Sequence, residues 1–180
     1  MRIIAGLYKN RRIHFTKLKI RPTTDFAKES LFNILNNYYN FNEMAVLDLF
    51  AGSGNISYEF ISRGCKKVIA IESNMNCVNF IKKIKKTLNM LNLEVQLSNV
   101  YTYLKKNKMK YDIIFADPPY DSTKEDYQNI INLVFERNLL TSSGTLILEH
   151  SKNINFGNNT LFFEQRKYGK VNFTLLKNEK

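Results

Sequence analysis

Apolar and polar residues follow two different periods along this chain, and the two periods separate strands from helices. Short apolar runs predict buried strands at residues 46–50, 67–72, 93–98, 111–116 and 144–149. Between these runs, apolar residues recur every three or four positions and predict helices at residues 56–63, 75–91, 100–106 and 124–137. Because strands alternate with helices, the pattern favours a parallel, doubly wound α/β sheet with right-handed crossovers.

Both ends of the chain depart from this alternation. Residues 2–5 and 12–15 predict a small hairpin, and a helix is expected from about Thr24 to Tyr39 with Thr24 as its N-cap. Near the other end, residues 161–167 and 171–176 flank a Tyr-Gly-Lys turn. That pattern is typical of an antiparallel hairpin, which we place at the edge of the sheet.

The overall composition indicates a globular chain. It has 180 residues, of which 44% are hydrophobic, enough for one domain with a sizeable core. No apolar run approaches the roughly 18 residues that a membrane span requires. We therefore expect a single domain over residues 1–180, in which residues 1–40 form a basic extension and residues 41–180 form the core.

The cysteines and histidines do not suggest a metal site or a disulfide framework. Cys65 and Cys77 lack the spacing of a zinc motif, and His14 and His150 lie far apart in sequence. The arginine-rich start lacks the helical period of a transit peptide. We therefore interpret the chain as a mature protein of a reducing cytoplasm.

Charge is distributed unevenly along the sequence. The chain has 27 Lys and Arg against 16 Asp and Glu, a formal net charge of +11. No acidic residue precedes Asp25, whereas seven basic residues do: Arg2, Lys9, Arg11, Arg12, Lys17, Lys19 and Arg21. Such a cluster attracts phosphate backbones, so the N-terminal segment is predicted to bind nucleic acid.

A tetrapeptide at the end of the strand predicted at 111–116 is suited to holding a planar amine. It consists of Asp117, Pro118, Pro119 and Tyr120. An ionised carboxylate and the carbonyl of Pro118 can only accept hydrogen bonds, so together they suit an exocyclic amino group. The tyrosine ring can stack on the base that carries the amine.

A second motif follows the first strand of the core. Gly52 and Gly54 form a turn between a strand and a helix, where the backbone can approach a ligand closely. Glu72 ends the next strand, at a spacing that suits a carboxylate binding the two hydroxyls of a ribose. Ser57 stands where the dinucleotide fingerprint has its third glycine, and the turn alone would favour an ordinary βα connection.

These motifs belong to a wider resemblance that covers nearly the whole chain. It rests on residues 2–6 and 9–12, on Arg-Pro-Thr-Thr-Asp at 21–25, and on residues 28–35, 47–54, 117–120 and 166–169. In these segments the chain resembles the bacterial 16S ribosomal RNA guanine-N2 methyltransferases that modify guanine 966 of the small-subunit RNA. The segment at 21–25 with the helix after it is the most specific part, because the other motifs occur across many amino methyltransferases.

The resemblance implies S-adenosyl-L-methionine as the methyl donor and small-subunit ribosomal RNA, or a partly assembled subunit, as the partner of a monomeric enzyme that needs no metal. The cofactor residues that it implies are Asp48, Phe50, Ala51, Gly52, Ser53, Gly54, Glu72, Asn99 and Asp117. The RNA-binding residues are Arg2, Lys9, Arg11, Arg12, Arg21, Thr23 and Thr24. Asn99 stands where many relatives of this fold carry an aspartate that contacts adenine, and it is also expected to serve as a helix N-cap, which does not exclude that contact.

Three alternatives remain open from the sequence. A DNA adenine-N6 methyltransferase would use the same tetrapeptide, and only the N-terminal segments and the absence of room for a target-recognition domain oppose it. A dinucleotide-dependent oxidoreductase would use Gly52, Gly54 and Glu72 but leaves Asp117 to Tyr120 unexplained. A noncatalytic RNA-binding protein would have no need of the intact acidic and glycine motifs.

Overall fold

A seven-stranded sheet forms the centre of the molecule; the computed structural model describes residues 1–14, 24–169 and 171–178. The strands are β1 Ala45–Asp48, β2 Lys67–Glu72, β3 Leu93–Leu97, β4 Tyr111–Ala116, β5 Leu140–Ser151, β6 Phe162–Tyr168 and β7 Val171–Leu176. Their order in the sheet is β3-β2-β1-β4-β5-β7-β6. The first five in this order pair in parallel, and β7 pairs antiparallel with both β5 and β6.

Helices cover both faces of this sheet. They are α1 Asp25–Asn36, α2 Asn55–Ser62, α3 Met75–Thr87, α4 Val100–Lys106 and α5 Lys124–Glu136, with a short 3-10 helix at Phe41–Glu43. Residues of α1, α2 and α3 pack into one apolar cluster, and residues of α4 and α5 pack into the other. The predicted doubly wound, mostly parallel α/β fold with two terminal additions is confirmed.

The alternation of side chains along β4 explains why it lies at the centre. Ile113 and Phe115 belong to the α1–α3 cluster, whereas Ile114 and Ala116 belong to the α4–α5 cluster. All four are buried, as expected for a parallel strand that is covered on both faces. Residues that continue β4 past Ala116 therefore emerge at the carboxyl edge of the sheet.

Side-chain caps set the starts of the helices. The Thr24 hydroxyl accepts the Ala27 N–H at 3.2 Å, which confirms the predicted N-cap of α1. Thr123 and Asp126 form a reciprocal capping box at the start of α5. These local bonds satisfy backbone N–H groups that have no partner inside the helix.

Several boundaries differ from the predicted ones. α3 ends at Thr87 rather than at residue 91, because the chain turns at Asn89 with a left-handed φ of 52°. β5 begins at Leu140, four residues before the predicted start, and shifts its register against β4 between Tyr111 and Ile113. α1 ends at Asn36 rather than near Tyr39.

The two terminal hairpins differ in regularity. Near the N-terminus, one antiparallel bridge joins Arg2 to Arg12, and the end of the predicted second arm, at residue 15, lies outside the described residues. At the other end, β6 and β7 form the predicted edge hairpin, with β6 outermost. Within the described residues, no helix is long and apolar enough to cross a membrane.

Candidate functional site

The order of the strands reverses between β1 and β4, and this switch point gives the site its location. Parallel strands end at the same edge of a sheet, and ligands of doubly wound folds bind in the crevice where neighbouring strands diverge. Asp48 ends β1, Glu72 ends β2, Asn99 follows β3 and Asp117 follows β4. The structure therefore brings these four sequence-predicted residues to one edge.

The backbone of the turn that follows β1 is held by two hydrogen bonds to β2, one to a side chain and one to a backbone carbonyl. The Gly52 N–H donates to Glu72 Oε2 at 2.8 Å, and the Ala51 N–H donates to the Ile71 carbonyl at 3.0 Å. Gly52 and Gly54 have φ values of 53° and 83°. A Cβ at Gly54 would come within 2.6 Å of the ring of Tyr58, so both conformation and space require glycine there.

Glu72 is positioned by its own backbone surroundings. Besides Gly52, it accepts the Asn74 N–H at 2.7 Å through its other oxygen. Its side chain is half-buried at the carboxyl end of β2. Each oxygen keeps a second lone pair, so the carboxylate can still accept two hydroxyl donors from a ligand.

Asp48 lies beneath the turn and is only 1% exposed. The Ser57 hydroxyl donates to its Oδ2 at 2.6 Å. Burial raises the pKa of Asp48 to about 7, against the opposing effect of the Ser57 hydrogen bond, and the charge of Glu72 adds to the increase. Ser57, which replaces the third fingerprint glycine, thus supports the carboxylate.

The other residues predicted to contact the cofactor have varied surroundings. Ala51 and Ser53 are buried, and the Ser53 hydroxyl donates to the Met1 sulfur at 3.4 Å. Phe50 is half-buried against the α4–α5 cluster. Asn99 is exposed and its amide oxygen accepts the N–H groups of Tyr101 and Thr102, which confirms the N-cap interpretation.

The tetrapeptide predicted to bind an amine runs outward from the end of β4. Asp117 is half-buried and Pro118 is buried, whereas Pro119 is exposed and Tyr120 is 93% exposed. The Pro119 carbonyl accepts the Ser122 N–H at 2.9 Å and turns the chain toward α5. The carboxylate therefore lies in the crevice, and the tyrosine ring stands free at its rim.

A fourth carboxylate at this edge, that of Glu149, was missed by the sequence reasoning. Ala116 pairs with Leu148 across β4 and β5, so Asp117 and Glu149 follow at neighbouring positions. Burial, then the charges of Glu149 and Asp48, raise the pKa of Asp117 well above its usual range. The available signal was an acidic residue at the end of the apolar run 144–148, the strand that precedes the predicted edge hairpin.

Tyr58 was also missed. It is buried on α2 with its ring under Gly54, and among the described residues its hydroxyl has no hydrogen-bond partner. Burial, followed by the charge of Asp48, raises the pKa of that hydroxyl far above its usual range. The helical spacing alone marks Tyr58 only as a core residue.

A buried charge network joins the N-terminal hairpin to the helix after the glycine turn. Glu59 on α2 is fully buried and accepts the N–H groups of Ile4 and Ala5 at 2.8 and 3.1 Å. The buried Lys28 ammonium lies 3.4 Å from the same carboxylate and donates to the Arg2 carbonyl at 2.6 Å. The hairpin is therefore held against the core beside the site.

Four of the basic residues predicted to contact RNA lie on this hairpin. Arg2, Lys9, Arg11 and Arg12 are exposed, and the Arg2 guanidinium lies 3.5 Å from Asp25. Thr24 uses its hydroxyl as the cap of α1. The predicted contacts Arg21 and Thr23 lie outside the described residues.

The electrostatic character of the edge follows from its acidic residues. Four carboxyl groups lie there, those of Asp48, Glu72, Asp117 and Glu149. In the described part of the chain, no group of three or more His, Cys, Asp and Glu side chains is arranged to hold a metal. Burial and the neighbouring carboxylates raise the pKa values of Asp48 and Asp117, so a nearby positive charge would favour their ionised forms.

Comparison with known proteins agrees with this geometry. The family model described as Conserved hypothetical protein 95 matches residues 1–177. Ribosomal RNA small subunit methyltransferase D of Buchnera aphidicola subsp. Baizongia pistaciae is 33% identical, over 99% of this chain and 92% of its own. The protein of the same name from Haemophilus influenzae is 32% identical, over 99% of this chain and 94% of its own.

Solved structures show the same fold at full length. A solved Escherichia coli protein superposes with a TM-score of 0.84 at 27% identity and covers 99% of each chain. A solved Haemophilus influenzae protein superposes with a TM-score of 0.79 at 30% identity, over 99% of this chain and 98% of its own. The chain therefore belongs to the family of the ribosomal RNA small subunit methyltransferase D proteins.

Proposed function

We propose that the protein transfers the methyl group of S-adenosylmethionine to the exocyclic N2 amine of a guanine in small-subunit ribosomal RNA. The observation that carries the proposal is the placement of Asp117 and Pro118 beside the Gly52–Gly54 turn and Glu72, at the switch point of the sheet. Family membership supports methyl transfer to ribosomal RNA. The N-terminal 40 residues would bind RNA, and residues 41–180 would bind the cofactor.

The acidic edge fits this cofactor by charge. When bound, S-adenosylmethionine supplies an electrophilic methyl group on a positively charged sulfonium, and it also carries an ammonium group. Asp48, beneath the turn, would attract that ammonium directly or through water. A cation at this edge favours the ionised forms of Asp48 and Asp117, whose pKa values are raised in its absence.

The adenosine end fits the residues that follow β2 and β3. Each oxygen of Glu72 accepts one backbone N–H, and each would accept a ribose hydroxyl with its remaining lone pair. Asn99 caps α4 with its amide oxygen, so its NH2 group would donate to the adenine ring. The left-handed glycine turn lets the backbone pass close beneath the methionine portion.

At the target amine, Asp117 and Pro118 would act by orienting the nitrogen and not by removing a proton before transfer. The guanine N2 lone pair is delocalised into the ring, and the neutral amine is far too weak an acid for a carboxylate to deprotonate. Asp117 and the Pro118 carbonyl would accept the two N–H hydrogens, which aims the nitrogen lone pair at the methyl carbon. The carbon–sulfur bond breaks as the nitrogen–carbon bond forms, and the nitrogen loses a proton during or after transfer.

Tyr120 would hold the base in the plane that this orientation requires. Its ring is 93% exposed at the rim of the crevice, where it is free to stack on a guanine splayed out of an RNA loop. Stacking together with contacts to the edge of the base requires such an unstacked nucleotide. Tyr120 is therefore proposed as the platform for the target base.

The decisive experiment uses labelled S-adenosylmethionine and small-subunit particles from cells that lack the protein. The labelled RNA is digested to nucleosides, and the modified nucleoside is identified and mapped. Labelled N2-methylguanosine is the expected product. Labelled N6-methyladenosine, or a failure to transfer label to either RNA or particles, would overturn the proposed function.

Replacing Glu72 with alanine is expected to weaken S-adenosylmethionine binding by about 1 to 3 kcal/mol, the scale for losing charged hydrogen bonds. The fold should persist, and calorimetric titration measures the affinity. Glu94, an exposed carboxylate on the neighbouring β3, offers the control, because Glu94→Ala should leave the affinity unchanged. Unchanged affinity in a folded Glu72→Ala protein would remove Glu72 from the site.

Neutralising Arg11 and Arg12 together is expected to weaken RNA binding and leave cofactor affinity nearly intact. Both side chains are exposed on the hairpin, so the loss should be electrostatic. Log affinity falls as log salt concentration rises, and each lost phosphate contact should make that slope shallower by about 0.7 to 0.9. Equal slopes for variant and parent would show that these arginines do not touch phosphate; Lys82 and Lys83 on α3 serve as a charge-matched control pair.

A further inference from the structure

An aromatic ring projects from the start of α1 without being part of the core. Phe26 is the second residue of that helix and is 68% exposed. Its ring meets the ring of Tyr168 edge to face, with centroids 6.1 Å apart and an interplanar angle of 78°. Phe26 therefore presents part of its ring to solvent while the ring also contacts Tyr168.

A chain of ring contacts connects this pair to β4, the strand that ends directly before Asp117. The ring of Tyr168 packs on Phe173 at 5.9 Å, and Phe173 packs on Phe115 at 6.5 Å. Phe115 lies on β4, two residues before Asp117, which directly follows the strand. Since alternate residues of a strand share a face, the ring pair and Asp117 lie on the same side of the sheet.

The register of the strands places the pair at the edge where the site lies. Tyr168 pairs with Val171, and Val171 pairs with Ser151 at the carboxyl end of β5. Three strand spacings separate β6 from β4, which corresponds to roughly 14 Å. A flexible polymer bound at Asp117 can therefore reach Phe26 with a neighbouring unit.

The surroundings of Phe26 carry basic groups. A cleft of about 440 Å³ lies between the hairpin and the start of α1. It is lined by Met1, Arg2, Arg12, Ile13, His14, Thr24 and Asp25, which directly precedes Phe26. Arg2 lies 3.5 Å from Asp25, so Arg12 leaves the cleft with an excess of positive charge. Positive charge next to an exposed ring complements a ligand that has both phosphates and flat bases.

We propose that Phe26 and Tyr168 form a second stacking site, which holds a nucleobase that neighbours the target nucleotide in single-stranded RNA. The phosphates next to that base lie over the cleft that Arg2 and Arg12 line. The inference rests on the proposed RNA substrate. It adds to the proposed site a pair of aromatic residues that fixes the path of the RNA strand. Tyr120 and Phe26 then hold two separate bases, which keeps the target splayed out of the stack.

The test compares single-stranded RNA binding by Phe26→Ala with that of the parent protein, using an oligonucleotide of the methylated loop. The expected loss is about 5- to 150-fold in affinity, the range for one base–aromatic stack. The salt dependence should stay parallel to that of the parent, because no phosphate contact is removed. A 2-aminopurine placed beside the target base should be quenched by the parent and not by the variant.

Two further variants separate stacking from general apolar contact. Phe26→Tyr keeps a flat ring and should restore binding, whereas Phe26→Leu keeps apolar bulk and should not. Phe163 is the matched aromatic control, since it is 45% exposed on the same strand as Tyr168 but at the far end. Phe163→Ala should bind RNA as the parent does.

The outcomes distinguish this inference from the proposed function. Parental affinity in Phe26→Ala, or parental affinity in Phe26→Leu, would overturn the stacking site while methyl transfer to ribosomal RNA stands. A parent protein that methylates no small-subunit RNA would overturn the proposed function instead. Thermal unfolding of each variant checks the fold, and the melting temperatures should match that of the parent because the replaced side chains are exposed.

Discussion

Asp117→Ala should lower the single-turnover rate of methyl transfer by on the order of 10²- to 10³-fold, the range for losing one preorganised electrostatic contact. The reason is that, in the proposed mechanism, Asp117 would accept an N–H of the target amine and help to aim the nitrogen lone pair. RNA affinity should change little, because the carboxylate lies in the crevice and not on the basic hairpin. Rapid quench with labelled cofactor at saturating RNA measures the rate.

Three further variants test the separate roles of Asp117 and Tyr120. Asp117→Asn should retain part of the activity, because the amide oxygen still accepts a hydrogen bond. Tyr120→Phe keeps the exposed ring and should be mild, whereas Tyr120→Ala should lose about 1 to 3 kcal/mol of stacking. A folded Asp117→Ala protein that methylates at the parental rate would disprove the proposed mechanism.

Glu59→Leu should destabilise the protein by about 3 to 5 kcal/mol, the range for removing one partner of a buried ion pair. The substitution leaves the ammonium of Lys28 buried without its carboxylate, and it leaves the N–H groups of Ile4 and Ala5 without their acceptor. Urea unfolding followed by circular dichroism measures the free energy of unfolding.

A second ion pair provides the control for this measurement. Lys67 and Glu94 lie 2.9 Å apart, but both side chains are about one-third exposed or more. Glu94→Leu should therefore change the free energy of unfolding by about 1 kcal/mol or less. Equal losses of unfolding free energy in Glu59→Leu and Glu94→Leu would show that burial of the Glu59 network adds nothing to stability.

The sequence predicted the existence and order of the core elements well, because their signals are local. β2, α4 and β4 begin and end at the predicted residues. The end of α3 was wrong because a single left-handed asparagine, Asn89, stops the helix although the apolar period continues to Leu91. Leu91 is consequently exposed rather than buried.

The candidate site was predictable where a motif coincides with a strand end. Asp48, Glu72 and Asp117 reach one edge because parallel strands end together. Glu149 was not predictable as a neighbour of Asp117, because pairing between β4 and β5 depends on tertiary register. Lys28 and Glu59 were likewise missed, since their contact joins two helices distant in sequence.

β6 is one of the two edge strands of the sheet, and at this edge it determines how the sheet meets other polypeptides. One side of β6 pairs with β7, and its other backbone edge is the end of the sheet. A register shift between Phe162 and Glu164 interrupts its regularity, and Glu164, Arg166 and Lys167 place charges along it. Charged side chains and irregular register are features that block edge-to-edge aggregation, so β6 is a poor template for a foreign strand.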